Sequence, residues 1–347
     1  MKKVLSIALV LALILSMFVG CAQKTETPAE PATTDAAVTT DTAVAPATPL
    51  KVALLLDGNI KDGGWNQLPY EGLMKAVSEL GITGDYTELI PQNEILTVMR
   101  DYANKGYDLI IANGYTFADA LVQVSAEYPK VKFIGTNVPK AGPNLATARI
   151  EYGINGHLAG LLMADMTKTK KVGYVCAVES PQMDCEVGNM KEVLQKIDPK
   201  IELKGVFTGD WADVNKAKSA ATSLADEGFD VIINNIDGAT AAVAQMAKEK
   251  GIYVIGWSGD EVKLDPDTIL SSMLIRNDIV VFSAIKKVID GEYTPGKSIK
   301  FGLDTGALGF GSFGNAVSKD KIDLLLKESD GILKGDIKVN TAVEGWD

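Results

Sequence analysis

Gly106-Tyr107-Asp108-Leu109-Ile110-Ile111-Ala112-Asn113 returns 122 residues later as Gly228-Phe229-Asp230-Val231-Ile232-Ile233-Asn234-Asn235. Each copy is followed by a helix-period stretch and a second apolar run, Phe133-Ile134-Gly135 in the first and Val254-Ile255-Gly256 in the second. A strand-helix-strand unit therefore recurs nearly in register, at a period far too long for a solenoid. The chain reads as two copies of one α/β domain. In open α/β sheets small molecules bind beyond the carboxyl ends of the strands, so two such lobes facing each other would enclose a ligand.

Working outward, strand-length apolar runs alternate with helix-period stretches, the pattern of parallel sheets covered on both faces. Strands are predicted at 52–56, 85–89, 109–112, 132–135 and 146–150, then at 171–178, 201–207, 231–234 and 253–256. The segment 156–167, with Leu158, Leu161, Leu162 and Met166 on one face, is predicted as the connecting helix. A further strand at 269–275, a helix at 278–290 and a last helix at 320–328 follow the second copy. This remainder predicts that the chain returns to the first lobe and then goes back. The first lobe is expected to comprise 50–154 plus about 265–295, the second about 155–264 plus 296–347, with several crossings as a hinge.

The chain has 347 residues, 46% hydrophobic and 23% charged, and a net charge of −11. Two ordinary domains fit this length. The acidic balance argues against nucleic-acid contact, which needs a basic surface to neutralise phosphates, and favours a solvated monomer.

Residues 1–20 have the build of a signal peptide, a basic Met1-Lys2-Lys3 before the apolar run Val4 to Val19. Phe18-Val19-Gly20-Cys21 resembles the lipobox of bacterial lipoproteins, which implies lipidation of Cys21. Residues 21–49 are almost wholly Ala, Thr, Pro, Glu and Asp after the Cys, with little to bury, and are expected to act as a disordered tether. Of the other cysteines, Cys176 and Cys185, a disulfide and a buried free thiol are equally natural readings.

The inventory is poor in catalytic groups. The only His is His157, at the start of a helix, where a cap or packing role is expected rather than that of a hydrolase base. One His and no Cys-x-x-Cys leave no metal site, no phosphate-loop motif occurs, and no cofactor is implied. Instead, polar and aromatic residues gather where strands end: Asp57 to Gln67, a Gly-rich loop with Trp65 and Asn66; Asn113-Gly114-Tyr115; Thr208-Gly209-Asp210-Trp211; Asn235-Ile236-Asp237; and Gly256-Trp257-Ser258-Gly259-Asp260. An indole on such a loop is either a stacking platform for a flat ligand or a plug between lobes.

Asp62-Gly63-Gly64-Trp65-Asn66-Gln67 with Tyr70-Glu71-Gly72-Leu73 resembles the opening signature of the basic membrane protein family, the PnrA-like purine nucleoside receptor lipoproteins. His157-Leu158-Ala159-Gly160 with Thr167 to Tyr174 is similar to its middle motif. Gly256 to Asp260, Ser271 to Arg276 and Gly302-Leu303 are similar to its closing ones. The resemblance implies a type I periplasmic-binding fold, two Rossmann-like lobes joined by several crossovers, lipid-anchored on the outer face of the cell membrane. Such a protein hands a purine nucleoside to the permease and ATPase of an ABC importer and is not an enzyme.

Carried over by motif, Trp65 would stack on one face of the base and Trp211 on the other, and Asn66 would bond the base edge. Asp260 would accept the ribose hydroxyls, and Arg276 stands where a Lys commonly reaches the sugar. Asp57, Asn113 and Asp237 are further polar contacts, and Trp257 replaces a residue that is often small or acidic in relatives. A base without ribose, a sugar, a nucleoside-processing enzyme and a surface sensor are the rival readings.

Overall fold

The computed structural model describes residues 48–346. The signal peptide, Cys21 and nearly all of the tether lie outside the described residues.

Short apolar runs become buried parallel strands because both faces of each sheet are covered. In β1 (Lys51–Leu55) the burial alternates between two cores: Val52 and Leu54 join the larger one, Ala53 and Leu55 the one on the opposite face. Each such Leu contributes roughly 1.5–3 kcal/mol by leaving water. The chain continues through α1 (Gln67–Leu80), β2 (Thr83–Thr87), α2 (Ile95–Asn104), β3 (Leu109–Asn113), α3 (Ala118–Glu127), β4 (Lys132–Thr136) and β5 (Leu145–Ile150). It then crosses through α4 (Tyr152–Met166) into β6 (Lys171–Cys176), α5 (Pro181–Ile197), β7 (Glu202–Phe207), α6 (Val214–Asp226), β8 (Val231–Asn235), α7 (Thr240–Lys250), β9 (Tyr253–Ser258) and β10 (Ile269–Ile275). Last come α8 (Asn277–Ile289), β11 (Ser298–Phe301), β12 (Leu308–Phe310) and α9 (Lys319–Lys334).

Two six-stranded sheets result, in the orders β11-β5-β4-β3-β1-β2 and β12-β10-β9-β8-β6-β7. All pairs are parallel except β10 with β12. The repeated phrase takes the same place in each: β3 lies between β1 and β4, β8 between β6 and β9. The fold is thus an α/β assembly of two parallel-dominated lobes, as the sequence predicts.

The lobe boundaries need correction. Strand β10 does not go to the first lobe but runs parallel beside β9, Ile269 opposite Val254 and Leu274 opposite Ser258. It is α8 that leaves, burying Val280, Val281, Ala284 and Ile285 and packing on α1 where Gly72 lets the helices touch: a Cβ there would lie 2.5 Å from the Asp278 carbonyl oxygen. Strand β11, within the stretch 296–347 expected in the second lobe, pairs with β5 in the first, and β12, with α9 after it, returns to the second. The crossings therefore fall between β5 and α4, β10 and α8, and β11 and β12.

The connecting helix starts at Tyr152, four residues earlier than predicted. It is buried nearly all round, against α5 above all, and at Gly156 a Cβ would sit 2.0 Å from the Glu186 carbonyl oxygen. His157 has the packing role expected, its Nε2 lying 2.8 Å from Glu328 Oε1 of α9. Cys176 and Cys185 are free thiols. No helix among the described residues is long and apolar enough to cross a membrane.

Candidate functional site

The carboxyl ends of the two sheets meet around a cavity of about 490 Å³, a volume suited to a small-molecule ligand. The loop after β1 supplies Asp57, Trp65 and Asn66, and the loop after β3 supplies Gly114, Tyr115 and Thr116. From the second lobe come Gln182 and Met183 after β6, Asp210 and Trp211 after β7, Asn235 and Asp237 after β8, and Trp257 at the end of β9. Tyr152, at the first crossing, closes the floor.

The Gly-rich loop is organised by Asp62. One carboxylate oxygen accepts from the Gly64 and Gln67 amides at 2.9 and 3.1 Å, the other from the Asn66 amide and Asn66 Nδ2 at 2.8 and 3.0 Å. An anion at the start of α1 is well placed against the helix dipole. Asn66 in turn accepts from the Gly58 amide at 3.2 Å, so its side chain is held by the loop. Asn113 lies one layer behind the cavity: it donates to the Trp65 carbonyl at 3.1 Å and accepts from Thr136 Oγ1 at 2.6 Å. Its part is to fix Trp65. Gly114 has φ +115° and lies flat under the indole, where a Cβ would be 3.5 Å from Trp65 Nε1. The Trp65 and Trp257 rings are 6.0 Å apart and tilted by 34°, and Trp257 lies almost parallel to Tyr152, 6.3 Å away.

The lining carries the carboxylates Asp57, Asp210 and Asp237 and no Lys, Arg or His. Burial pushes Asp57 up, partly offset by the hydrogen bond from Thr116 Oγ1 at 2.9 Å. Asp237 is pushed well above the usual carboxylate range, first by burial and then by Asp62, Asp57 and Glu261, and its carboxylate makes no hydrogen bond with a described residue. Behind it Glu261 is pushed to about 7 by burial, although it accepts from Thr240 Oγ1 at 2.9 Å and the Trp257 amide at 3.1 Å. Beneath the floor the fully buried Glu186 is also pushed to about 7, against the hydrogen bonds from Trp257 Nε1 at 3.2 Å and the Tyr174 hydroxyl at 2.9 Å. Such a site attracts hydrogen-bond donors and repels anions.

Of the residues expected from sequence, Asp57, Trp65, Asn66, Trp211, Asp237 and Trp257 line the cavity. Asn113 lies one layer behind it, and two are placed elsewhere. Asp260 is exposed and accepts from the Ser312 amide and hydroxyl at 3.1 and 2.6 Å. Ser258, at φ +73°, turns the chain so that the indole before it faces inward and the carboxylate after it faces out. Arg276 holds Asp278 with two hydrogen bonds, at 2.8 and 2.5 Å, in the first turn of α8, which binds the guanidinium to the hinge crossing.

Gln182, Met183 and Tyr152 are lining residues that sequence reasoning missed. The signal for the first pair was Ser180-Pro181 after a predicted strand, a helix start by its Pro at the first position.

An outer cavity of about 650 Å³ shares Gln92, Tyr115, Thr116, Gln182 and Trp211 with the inner one and is bounded by the C-terminal Glu344 to Trp346. There Trp346 stacks on Tyr115 with rings 6.5 Å apart and 5° from parallel. The last residues thus reach the first lobe, although the sequence assigns them to the second.

The lobes touch where Gly63-Gly64 faces Ser258-Gly259. A Cβ on Gly259 would lie 2.3 Å from the Gly63 carbonyl oxygen across the cleft. Gly259→Ala therefore opens the lobes at this seam: overpacking of this kind costs about 1–3 kcal/mol, so ligand affinity falls roughly 5- to 150-fold. Calorimetric titration with an unchanged thermal midpoint of the empty protein is the check; an unaltered affinity refutes the seam.

Residues 50–342 match the family described as ABC transporter substrate-binding protein PnrA-like. The chain belongs to that family. It is 27% identical over 319 residues to an ABC transporter nucleoside-binding protein, BmpA, of Lactococcus lactis subsp. cremoris (strain MG1363), covering 84% of this chain and 89% of that one. It is 26% identical over 288 residues to a purine-binding protein of Brucella abortus (strain 2308), covering 82% and 81%. Among solved structures, a transcriptional activator of the comK gene from Bacillus halodurans superposes with a TM-score of 0.72 at 25% identity, covering 83% of this chain and 99% of that one.

Proposed function

We propose that this protein captures a purine nucleoside, or the purine base alone, between its two lobes and passes it unaltered to the permease and ATPase of an ABC importer. In this reading it works as a monomer, held at the extracytoplasmic face of the cell membrane by lipid on Cys21. The observation that carries the reading is the lining itself: three indoles around a cavity rich in acceptors and without a cation. Flat rings stack on indoles, and the hydroxyl and amino hydrogens of a nucleoside answer the carboxylates. The names of the Lactococcus and Brucella relatives point the same way. A DNA-contacting role, which the name of the Bacillus halodurans transcriptional activator suggests, finds no support in a net charge of −11.

The experiment is mass spectrometry of the small molecule released from freshly purified, denatured protein, followed by competition calorimetry with inosine, guanosine, adenine, inosine 5′-monophosphate and a hexose panel. Nucleosides bind and remain intact. The monophosphate binds at least about 100-fold more weakly, because its charge meets carboxylates in a desolvated site, where like-charge contact costs several kcal/mol. Preference for hexoses, or free base appearing at catalytic rates, overturns the reading.

A further inference from the structure

The second-lobe wall of the inner cavity contains a hydrogen-bonding set that no described residue satisfies. Gln182 is 7% exposed, lines both cavities, and its Oε1 is buried with no partner among the described residues. It stands in the first turn of α5, a 17-residue helix whose N-cap, Ser180, makes no capping hydrogen bond and leaves its own buried Oγ unpaired. Pro181 has no amide hydrogen, so the first free donors of the helix are the amides of Gln182 and Met183, and neither bonds a described residue. Both residues line the inner cavity. Buried groups of this kind are normally paired, and a helix start without a side-chain cap directs its donors and its positive dipole end at whatever occupies the cavity.

We propose that Gln182 and the first turn of α5 form the edge-reading part of the site and select 6-oxopurines. This rests on the purine reading above and deepens it. The subsite offers two N–H donors beside one acceptor. A 6-oxopurine presents the complement: an exocyclic oxygen with two lone pairs for the amides, and beside it a ring N–H for Gln182 Oε1. Adenine can answer the acceptor with its amino group, but its ring nitrogen has a single lone pair, so one amide stays unpaired. The positive end of the helix also favours a carbonyl oxygen over an amino group. Trp65 and Trp211 accept either base by its faces, so the edge decides.

The test is a titration series on the full body with inosine, guanosine, adenosine, 1-methylinosine, which lacks the ring N–H, and purine riboside, which lacks the oxygen. Inosine and guanosine bind roughly tenfold or more tighter than the other three, because each of those leaves a desolvated group unpaired. Gln182→Leu weakens inosine and abolishes its lead over 1-methylinosine, whereas Gln182→Glu, which keeps an acceptor for the ring N–H, preserves that lead even where both affinities fall. Equal binding of adenosine and inosine by the native chain, which needs no variant to fold, overturns the assignment. So does a lead of inosine over 1-methylinosine that survives Gln182→Leu. A panel in which nucleosides bind without distinction refutes only this subsite; a panel in which none binds refutes the purine reading and the subsite with it.

Discussion

Replacing both Trp65 and Trp211 with alanine lowers the affinity for inosine by two to four orders of magnitude. Base-aromatic stacking contributes about 1–3 kcal/mol per base by alanine substitution, and the two indoles come from different lobes, so each loss falls on a separate part of the lining. The single changes differ in kind. Trp211 is 38% exposed, so Trp211→Ala leaves the stability of the empty protein within about 0.5 kcal/mol and reports on the ligand alone. Trp65 is packed against Trp257 and over Gly114, so Trp65→Ala also loosens the first-lobe loop, and Trp65→Phe is the control that keeps a ring there. Calorimetry of the singles and the double decides the matter. A double variant that loses less than about fivefold would make the indoles plugs between lobes rather than platforms.

The fold was legible because its signal is local. Runs such as Leu109–Asn113 and Val231–Asn235 announce buried parallel strands, and their repetition announces two lobes, without any knowledge of what lies beside them. Membership of a lobe is a different matter, since it depends on pairing between distant segments. Neither the buried run Ile269–Ile275 nor the short, mostly half-buried Ser298–Phe301 carries a mark of its neighbour, yet the first pairs with β9 and the second with β5.

The site divides in the same way. Residues whose loops follow central strands, Asp57, Trp65 and Asp237 among them, are brought to the cavity by the topology itself. Asp260 was misplaced because a single residue with positive φ, Ser258, reverses which way its neighbours face. Gln182 was missed because amides in water-accessible loops are common, and nothing in a sequence shows that this one would be buried without a partner.

The second large effect is on stability, and it requires no ligand. Glu186 and Glu261 titrate at about 7 in the folded protein against an ordinary 4.5. A raised carboxylate pKa means that the folded state holds the proton more tightly than the unfolded one. Stability is therefore fullest below 4.5 and declines as the pH rises from there through 7, the unfolded chain having released its protons first. For Glu186 the difference corresponds to about 3 kcal/mol. Glu261 adds a share of similar sign that it divides with Asp237, whose carboxyl its charge helps to push up. Surface pairs do not mask the trend: Glu127, held at about 2 by Arg100, acts only below 4.5.

Urea unfolding followed by indole fluorescence at pH 5, 6, 7 and 8 shows the decline. Glu186→Gln removes about 3 kcal/mol of it, because the amide keeps an acceptor for Trp257 Nε1 without a charge to bury. The variant is then more stable than the native protein at pH 8 and no more stable at pH 5. A native profile that is flat or rises over this range, or a variant profile parallel to the native one, would mean that the charge beneath Trp257 is balanced by a partner, and the acidic floor of the cavity would have to be drawn again.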